Sequence, residues 1–283
     1  MALREARRER QRAQNIFRAA QMHEARVAHE THHKKPEAAG HFSDLHIGCS
    51  GWFYWHWRGR FYPTGSKTSA WFAHYAKRFN TVELNAPFYA WPTVSTVKTW
   101  RKQAGRRRFL YTVKASELIT HVRRFSRTSG LVKDFGLIAD LLGPAMGCFL
   151  FNCRRALSTP PHASRALSSN STQDTATWWS FVTGAGGTPR CMPHSGSEAS
   201  SFARAAGPRL PDELVTTGED VYIRFHGTKR WYRHDYTRDE LKVWAERVRD
   251  AKPARVWAYF NNDREGYAIK NARTFLRLLR KHA

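Results

Sequence analysis

Residues 219–262 read EDVYIRFHGTKRWYRHDYTRDELKVWAERVRDAKPARVWAYFNN, and this stretch decides the fold. Val221–Phe225 is a short apolar run closed by His226 and Gly227, as a buried strand would be. Thr237 then stands three residues before Glu240, the spacing of a capping box, and opens an amphipathic helix over TRDELKVWAERVRDA. A second apolar run, ARVWAYFNN, follows. A strand, a crossover helix and another strand imply parallel pairing.

The same alternation extends outward in both directions. LHIGCSGW, TVELNAPFY, RFLYTVKAS and AMGCFLF read as strands. SAWFAHYAKRF, STVKTWRKQA, SGLVKDFGLIADLLG (closed by Gly143) and AIKNARTFLRLLRKH read as helices. So many repeats, with apolar runs rather than strict two-residue alternation, predict an α/β fold of the TIM-like β/α-barrel type.

The pattern fails from Asn152 to Ala205. Ser, Thr, Ala and Gly replace the apolar rhythm, and Pro160, Pro161, Pro189 and Pro193 interrupt it. The barrel is therefore expected to be incomplete or distorted across residues 152–206. Residues 45–283 read as one barrel domain interrupted by that segment. Residues 1–44 read as a basic extension, disordered or helical, because Arg and Glu interleave there with little apolar face beyond Ile16, Phe17 and Met22.

The 283-residue chain carries a formal net charge of +24. It divides as +4 over residues 1–40, +11 over 41–151, +3 over 152–206 and +6 over 207–283. The excess lies in the patterned part rather than in a tail, and such a field attracts polyanions. A nucleic acid or a phosphate-bearing ligand is the partner this implies. No apolar run approaches the roughly 18 residues needed to span a bilayer, and no membrane partner is expected. Cys49, Cys148, Cys153 and Cys191 fit neither a disulfide framework nor a zinc ligand set, which suits a cytoplasmic protein with reduced thiols. The adjacent His32 and His33 read as a solvated pair rather than a metal tract. Oligomeric state is not legible in the sequence.

In a β/α barrel the chemistry gathers where the strands end. The first strand end offers Trp52 and Tyr54, the second Glu83, Asn85 and Tyr89, and the third Lys114. Another offers Arg224 and His226, and the last Asn261 and Asn262. A buried carboxylate needs a partner, and Lys114 and Arg224 are available to Glu83. This supports either an acid–base site or a structural ion network. Glu83, Lys114, Arg224 and His226 are the candidate catalytic residues. Trp52, Tyr54, Asn85, Tyr89, Asn261 and Asn262 are the candidate substrate-binding residues. No metal site is expected, since Glu83, His226 and Asp263 lack metal-ligand spacing, and no cofactor is expected.

IGCSGWFYWHWRGRFYP, YAKRFNTVELNAPFYAWP, FLYTVKASELITH, DVYIRFHG with WYRHDYT, and WAYFNNDREGYAIKNA together resemble the family called domain of unknown function 72, which includes the YecE-like proteins. The resemblance covers residues 45–151 and 207–280. It implies a TIM-like barrel and no settled reaction. Its motif residues here are Gly51, Trp52, Tyr54, Glu83, Asn85, Phe88, Tyr89, Lys114, Arg224, His226, Gly227, Asn261, Asn262, Gly266 and Asn271.

Such proteins carry a Gln-Leu-Pro-Pro segment after the fourth strand and a Glu-Phe-Arg-His segment at the fifth. Neither appears here. Yet Asn152-Cys153-Arg154-Arg155, with its codons regrouped by one base, permits Gln-Leu-Pro-Pro. Trp179–Gly187, regrouped in the same way, permits Glu-Phe-Arg-His-Arg-Ser-Trp-Trp. The two coincidences, in the right order, imply a frameshift near Phe151 reversed near Gly207. Three functions stay open. One is an enzyme acting on a phosphate-bearing or nucleic-acid substrate. The others are a non-catalytic nucleic-acid-binding protein and an inactive frameshifted product.

Overall fold

Among the described residues eight parallel strands organise the chain. The computed structural model describes residues 2–31, 44–153, 176–181, 200–208, 213–214, 216 and 219–280. His32, His33 and Cys191 lie outside them. The strands are β1 (Leu45–Cys49), β2 (Thr81–Leu84), β3 (Leu110–Lys114), β4 (Met146–Cys153), β5 (Ala176–Phe181), β6 (Ser200–Ala206), β7 (Asp220–Phe225) and β8 (Arg255–Phe260). They form one sheet in the order β1-β8-β7-β6-β5-β4-β3-β2.

The helices include α1 (Ala2–Thr31), α2 (Trp71–Ala76), α3 (Ala86–Tyr89), α4 (Val94–Ala104) and α5 (Ser129–Leu142). Beyond β7 come α6 (Arg238–Ala251) and α7 (Tyr267–Arg280). The capping box of α6 forms as its spacing predicts: Thr237 Oγ1 accepts from the Glu240 amide at 3.2 Å, and the Thr237 amide donates to Glu240 Oε2 at 2.7 Å. Gly143 closes α5 with φ +53°, a conformation that costs glycine least.

Side chains on the strands alternate between two cores. Tyr111 and Val113, Phe149 and Phe151, Val221, Ile223 and Phe225, and Val256, Ala258 and Phe260 pack outward against the helices. Leu110, Cys148, Leu150, Tyr222, Trp257 and Tyr259 form a separate inner cluster. Strands distant in the order meet there. Thr112 Oγ1 of β3 and the Tyr259 hydroxyl of β8 lie 2.6 Å apart, and Thr81 Oγ1 of β2 lies 2.7 Å from the same hydroxyl. The two ends of the order also approach. Asn80 Nδ2 donates to the Leu45 carbonyl at 2.9 Å, and a Cβ on Gly48 would collide with the Thr81 carbonyl.

The expectation that residues 152–206 leave the sheet incomplete is corrected. β4 continues through Cys153, and β5 and β6 both come from that segment and pair in parallel register with their neighbours. Two physical reasons account for this. Thr177, Trp178, Trp179 and Phe181 are strong strand formers. The facing edges of β4 and β7 present rows of backbone groups that extended chain satisfies. The prolines expected to break the ladder fall outside the strand spans and outside the described residues.

A second correction concerns TVELNAPFY. Only Thr81–Leu84 is strand, and Ala86–Tyr89 turns into a helix with Pro87 in its first turn. Residues 1–44, expected to be disordered or helical, supply α1, whose Asn15, Ala19 and Met22 are buried.

Candidate functional site

Inner-face alternation carries Glu83, Lys114 and Arg224 to the C-terminal ends of their strands. Glu83 is completely buried and accepts four hydrogen bonds. Arg224 Nε reaches Oε2 at 2.9 Å and Nη2 reaches Oε1 at 2.8 Å, a bidentate pair. The Tyr222 hydroxyl donates to Oε2 at 2.7 Å, and Ser50 Oγ donates to Oε1 at 2.7 Å. Burial alone pushes the Glu83 carboxyl up, but the Arg224 charge and the donors outweigh it and hold the group below its ordinary range. Burial opposes the Arg224 charge too, and Glu83 more than restores it. Glu83 is thus a fixed anion whose lone pairs are taken by Arg224, Tyr222 and Ser50.

Lys114 does not complete this ion pair, contrary to the expectation that it helps to neutralise Glu83. Its Nζ sits 3.9 Å from the centre of the Phe88 ring, and among the described residues it makes no hydrogen bond. Burial, then the Arg224 charge, pull its pKa down to about 7, with Glu83 and Glu117 opposing. The amine therefore exchanges its proton near neutrality. His226, at the end of β7, is held neutral: burial, then Arg224 and Lys114, push it well below its ordinary value. Its Nδ1 lies 3.2 Å from Asn261 Nδ2. Glu83, Lys114, Arg224, His226 and Asn261 thus form one connected cluster.

The family profile described as "Protein of unknown function DUF72" matches residues 46–173 and 189–283. The chain belongs to the DUF72 family. Within the segment set apart above as 152–206, the profile leaves residues 174–188 unmatched. A DUF72 family protein from Thermotoga maritima MSB8 is similar in structure, with a TM-score of 0.68 and 22% identity over 84% of this chain and 99% of that one. Another, from Enterococcus faecalis V583, gives a TM-score of 0.65 and 17% identity over 83% of this chain and 95% of that one. No curated protein matches the sequence.

In this DUF72 protein the candidate binding residues divide. Asn85 lies just beyond β2, and its Oδ1 is buried with no hydrogen-bond partner among the described residues. Tyr89 is exposed, and its neighbour Phe88 faces Lys114. Trp52 instead packs against Phe72 and Tyr111 in the outer aromatic layer, and the Tyr54 hydroxyl donates to the Ser50 carbonyl. Asn262 is buried and braces the chain after β7, donating to the His234 carbonyl at 2.7 Å and Asn271 Oδ1 at 2.6 Å.

Sequence reasoning missed Ser50, Tyr222 and Asn152. Two follow from alternation: Tyr222 lies two residues before Arg224, and Asn152 two residues after inner-facing Leu150. Asn152 Oδ1 is a further buried acceptor with no partner among the described residues. It also missed a role for Asp263, which accepts from Trp57 Nε1 at 2.7 Å and lies 2.9 Å from His56 Nε2. Burial pushes Asp263 up to about 6 against the pull of His56 and Trp57. Among the described residues no group of three or more His, Cys, Asp or Glu is placed to hold a metal ion, and no helix is long and apolar enough to cross a membrane.

Proposed function

We propose that the chain is a closed TIM-like β/α barrel, an enzyme whose strand-end cluster takes the anionic group of a phosphate-bearing or nucleic-acid substrate. The approach of β1 to β2 and the contacts between distant strands support closure. One observation carries the functional reading. Lys114 Nζ has no hydrogen-bond partner among the described residues, and it lies beside an Arg224 whose Nη1 also makes none. Both are buried cationic donors, and the buried carboxylate between them, Glu83, is already committed to Arg224. An oxyanion binds where such donors converge.

In this reading Arg224 and Lys114 hold the anion, and Glu83 positions Arg224. Lys114, titrating near neutrality, transfers a proton to or from the reacting group. Neutral His226, with Asn261, orients substrate hydroxyls, and buried Asn85 Oδ1 and Asn152 Oδ1 accept from them.

Calorimetric titration with pyrophosphate tests the reading. Saturable binding that falls at least about tenfold in Lys114→Met, roughly the worth of one charge-assisted hydrogen bond, is expected. Equal binding by both proteins overturns it.

A second reading, a non-catalytic nucleic-acid binder, rests on a different observation. Exposed Trp55, Tyr89, Trp231 and Tyr232 follow strand ends, among Arg58, Lys229, Arg230 and Arg233. Oligonucleotide binding that survives Lys114→Met and weakens in Trp231→Ala favours it. Under a third reading residues 152–206 are the product of a displaced frame and the chain is inactive. A cytoplasmic location and the absence of a membrane partner belong to the same proposal.

A further inference from the structure

The helix that lies outside the family-matched residues packs on the loop that borders the site. α1 crosses the loop after β2 and holds it through one side chain. Asn15, 1% exposed, donates from Nδ2 to the Tyr89 carbonyl at 3.0 Å and accepts at Oδ1 from the Trp91 amide at 3.0 Å. Its amide thus satisfies two backbone groups two residues apart, as a neighbouring strand would. Arg18 adds a bond to the Trp91 carbonyl at 3.3 Å. The helix is anchored independently further along, where Arg26 Nε donates to Asp134 Oδ1 of α5 at 2.8 Å and His23 Nδ1 lies 3.0 Å from the same oxygen.

The clamped residues directly follow Phe88, whose ring faces Lys114 Nζ. Phe88 is 7% exposed, so it shields the amine from water on that side. The other groups acting on Lys114 are Arg224 of β7, Glu83 of β2, Glu117 beyond β3, and neutral His226.

We propose that Asn15 is a positioning residue: by fixing Tyr89 and Trp91 it holds Phe88 against Lys114 and keeps that amine desolvated, so that α1 controls the reactivity of the site. This deepens the reading of Lys114 as the proton-transferring group and rests on it. Without the clamp the α3 turn relaxes, water reaches Nζ, and the largest influence on Lys114 weakens.

The test is the pH dependence of Lys114 modification by an amine-selective reagent, read by peptide mass spectrometry on the full chain. Asn15→Leu, nearly equal in size, removes both hydrogen bonds while adding no charge. Asn15→Ala is the second variant should the leucine prevent folding. Arg26→Ala loosens α1 at its other anchor. The wild-type midpoint should lie near 7, and the Asn15 variants should raise it by about one unit or more, a tenfold change in the protonated ratio. Arg26→Ala should leave it unmoved. A wild-type midpoint near the ordinary lysine value of about 10.4 removes the underlying reading of Lys114. A wild-type midpoint near 7 that stays there in a folded Asn15 variant overturns the clamp alone.

Discussion

The sheet has two unlike walls. One is built from β1, β2, β3, β7 and β8, and its inner face carries Glu83, Lys114, Tyr222 and Arg224, where hydrogen bonds join Glu83 to Tyr222 and Arg224 on a strand far away in sequence. The other is β5 and β6, drawn from the segment that lost its pattern. Both walls make parallel ladders, with one register shift between β3 and β4 near Tyr111 and Val113. The difference teaches that a ladder uses backbone groups present in any residue but proline, whereas a site needs particular side chains at particular heights. β6, with the sequence SSFARAA, has no β-branched residue. β7 and β8, DVYIRF and RVWAYF, place an apolar residue at nearly every outward position.

The largest expected effect comes from making the two walls alike. Replacing residues 152–206 with the peptide encoded by the alternative frame should raise unfolding stability by about 5 kcal/mol. That corresponds to two or three further apolar side chains at roughly 1.5–3 kcal/mol each. Denaturant melts of the two chains would show it, and equal midpoints would dismiss the displaced frame.

Damaging the ordered wall comes next. Glu83→Gln removes the carboxylate and leaves Arg224 charged and buried, so a loss of about 3–5 kcal/mol is expected, measured by the same melts.

A third expectation concerns pH. Burial has lowered the pKa of Lys114, so the folded chain releases that proton near 7 while the unfolded chain keeps it to about 10.4. Between those values the unfolded state binds more protons, and stability rises with pH by up to about 1.4 kcal/mol per unit. Glu83, whose pKa is also lowered by folding, has the same sign of linkage in an acidic window: its contribution is present above the ordinary carboxylate range and is lost on acidification below it. Comparing wild type with Lys114→Met from pH 6 to 10 isolates the lysine, and a slope that persists in the variant would assign it to another group.

The smallest effect is local. Amide hydrogen exchange in β6 should outpace that in the β7–β8 ladder by about fivefold or more, equivalent to roughly 1 kcal/mol of local opening energy. Equal protection would mean that the walls differ in side chains alone.

Much of the ordered wall was legible because its information is local. Apolar runs marked the strands, and the Thr237–Glu240 spacing marked the start of α6. The polar residues that interrupt apolar runs near strand ends were the ones that gathered. Asn262 was misplaced for a physical reason. An Asn at a strand end looks the same whether it faces a ligand or a backbone carbonyl, and the His234 carbonyl it braces arrives from another loop. Asn85 was assigned to a strand face because Pro87 was not read as the start of a helical turn.

The sequence by itself determined that the strands are parallel, that helices cross between them, and that Glu83, Lys114, Arg224 and His226 belong to strand ends, since periodicity and spacing record which face of each element is buried. Only the tertiary structure decided that of the two cations Arg224 takes the Glu83 carboxylate while Lys114 makes no hydrogen bond among the described residues, that Asn15 reaches the loop after β2, and that β5 and β6 join the sheet. Those outcomes depend on groups brought together from distant parts of the chain, and on sheet edges that accept extended backbone regardless of its side chains. A one-dimensional pattern holds neither distance.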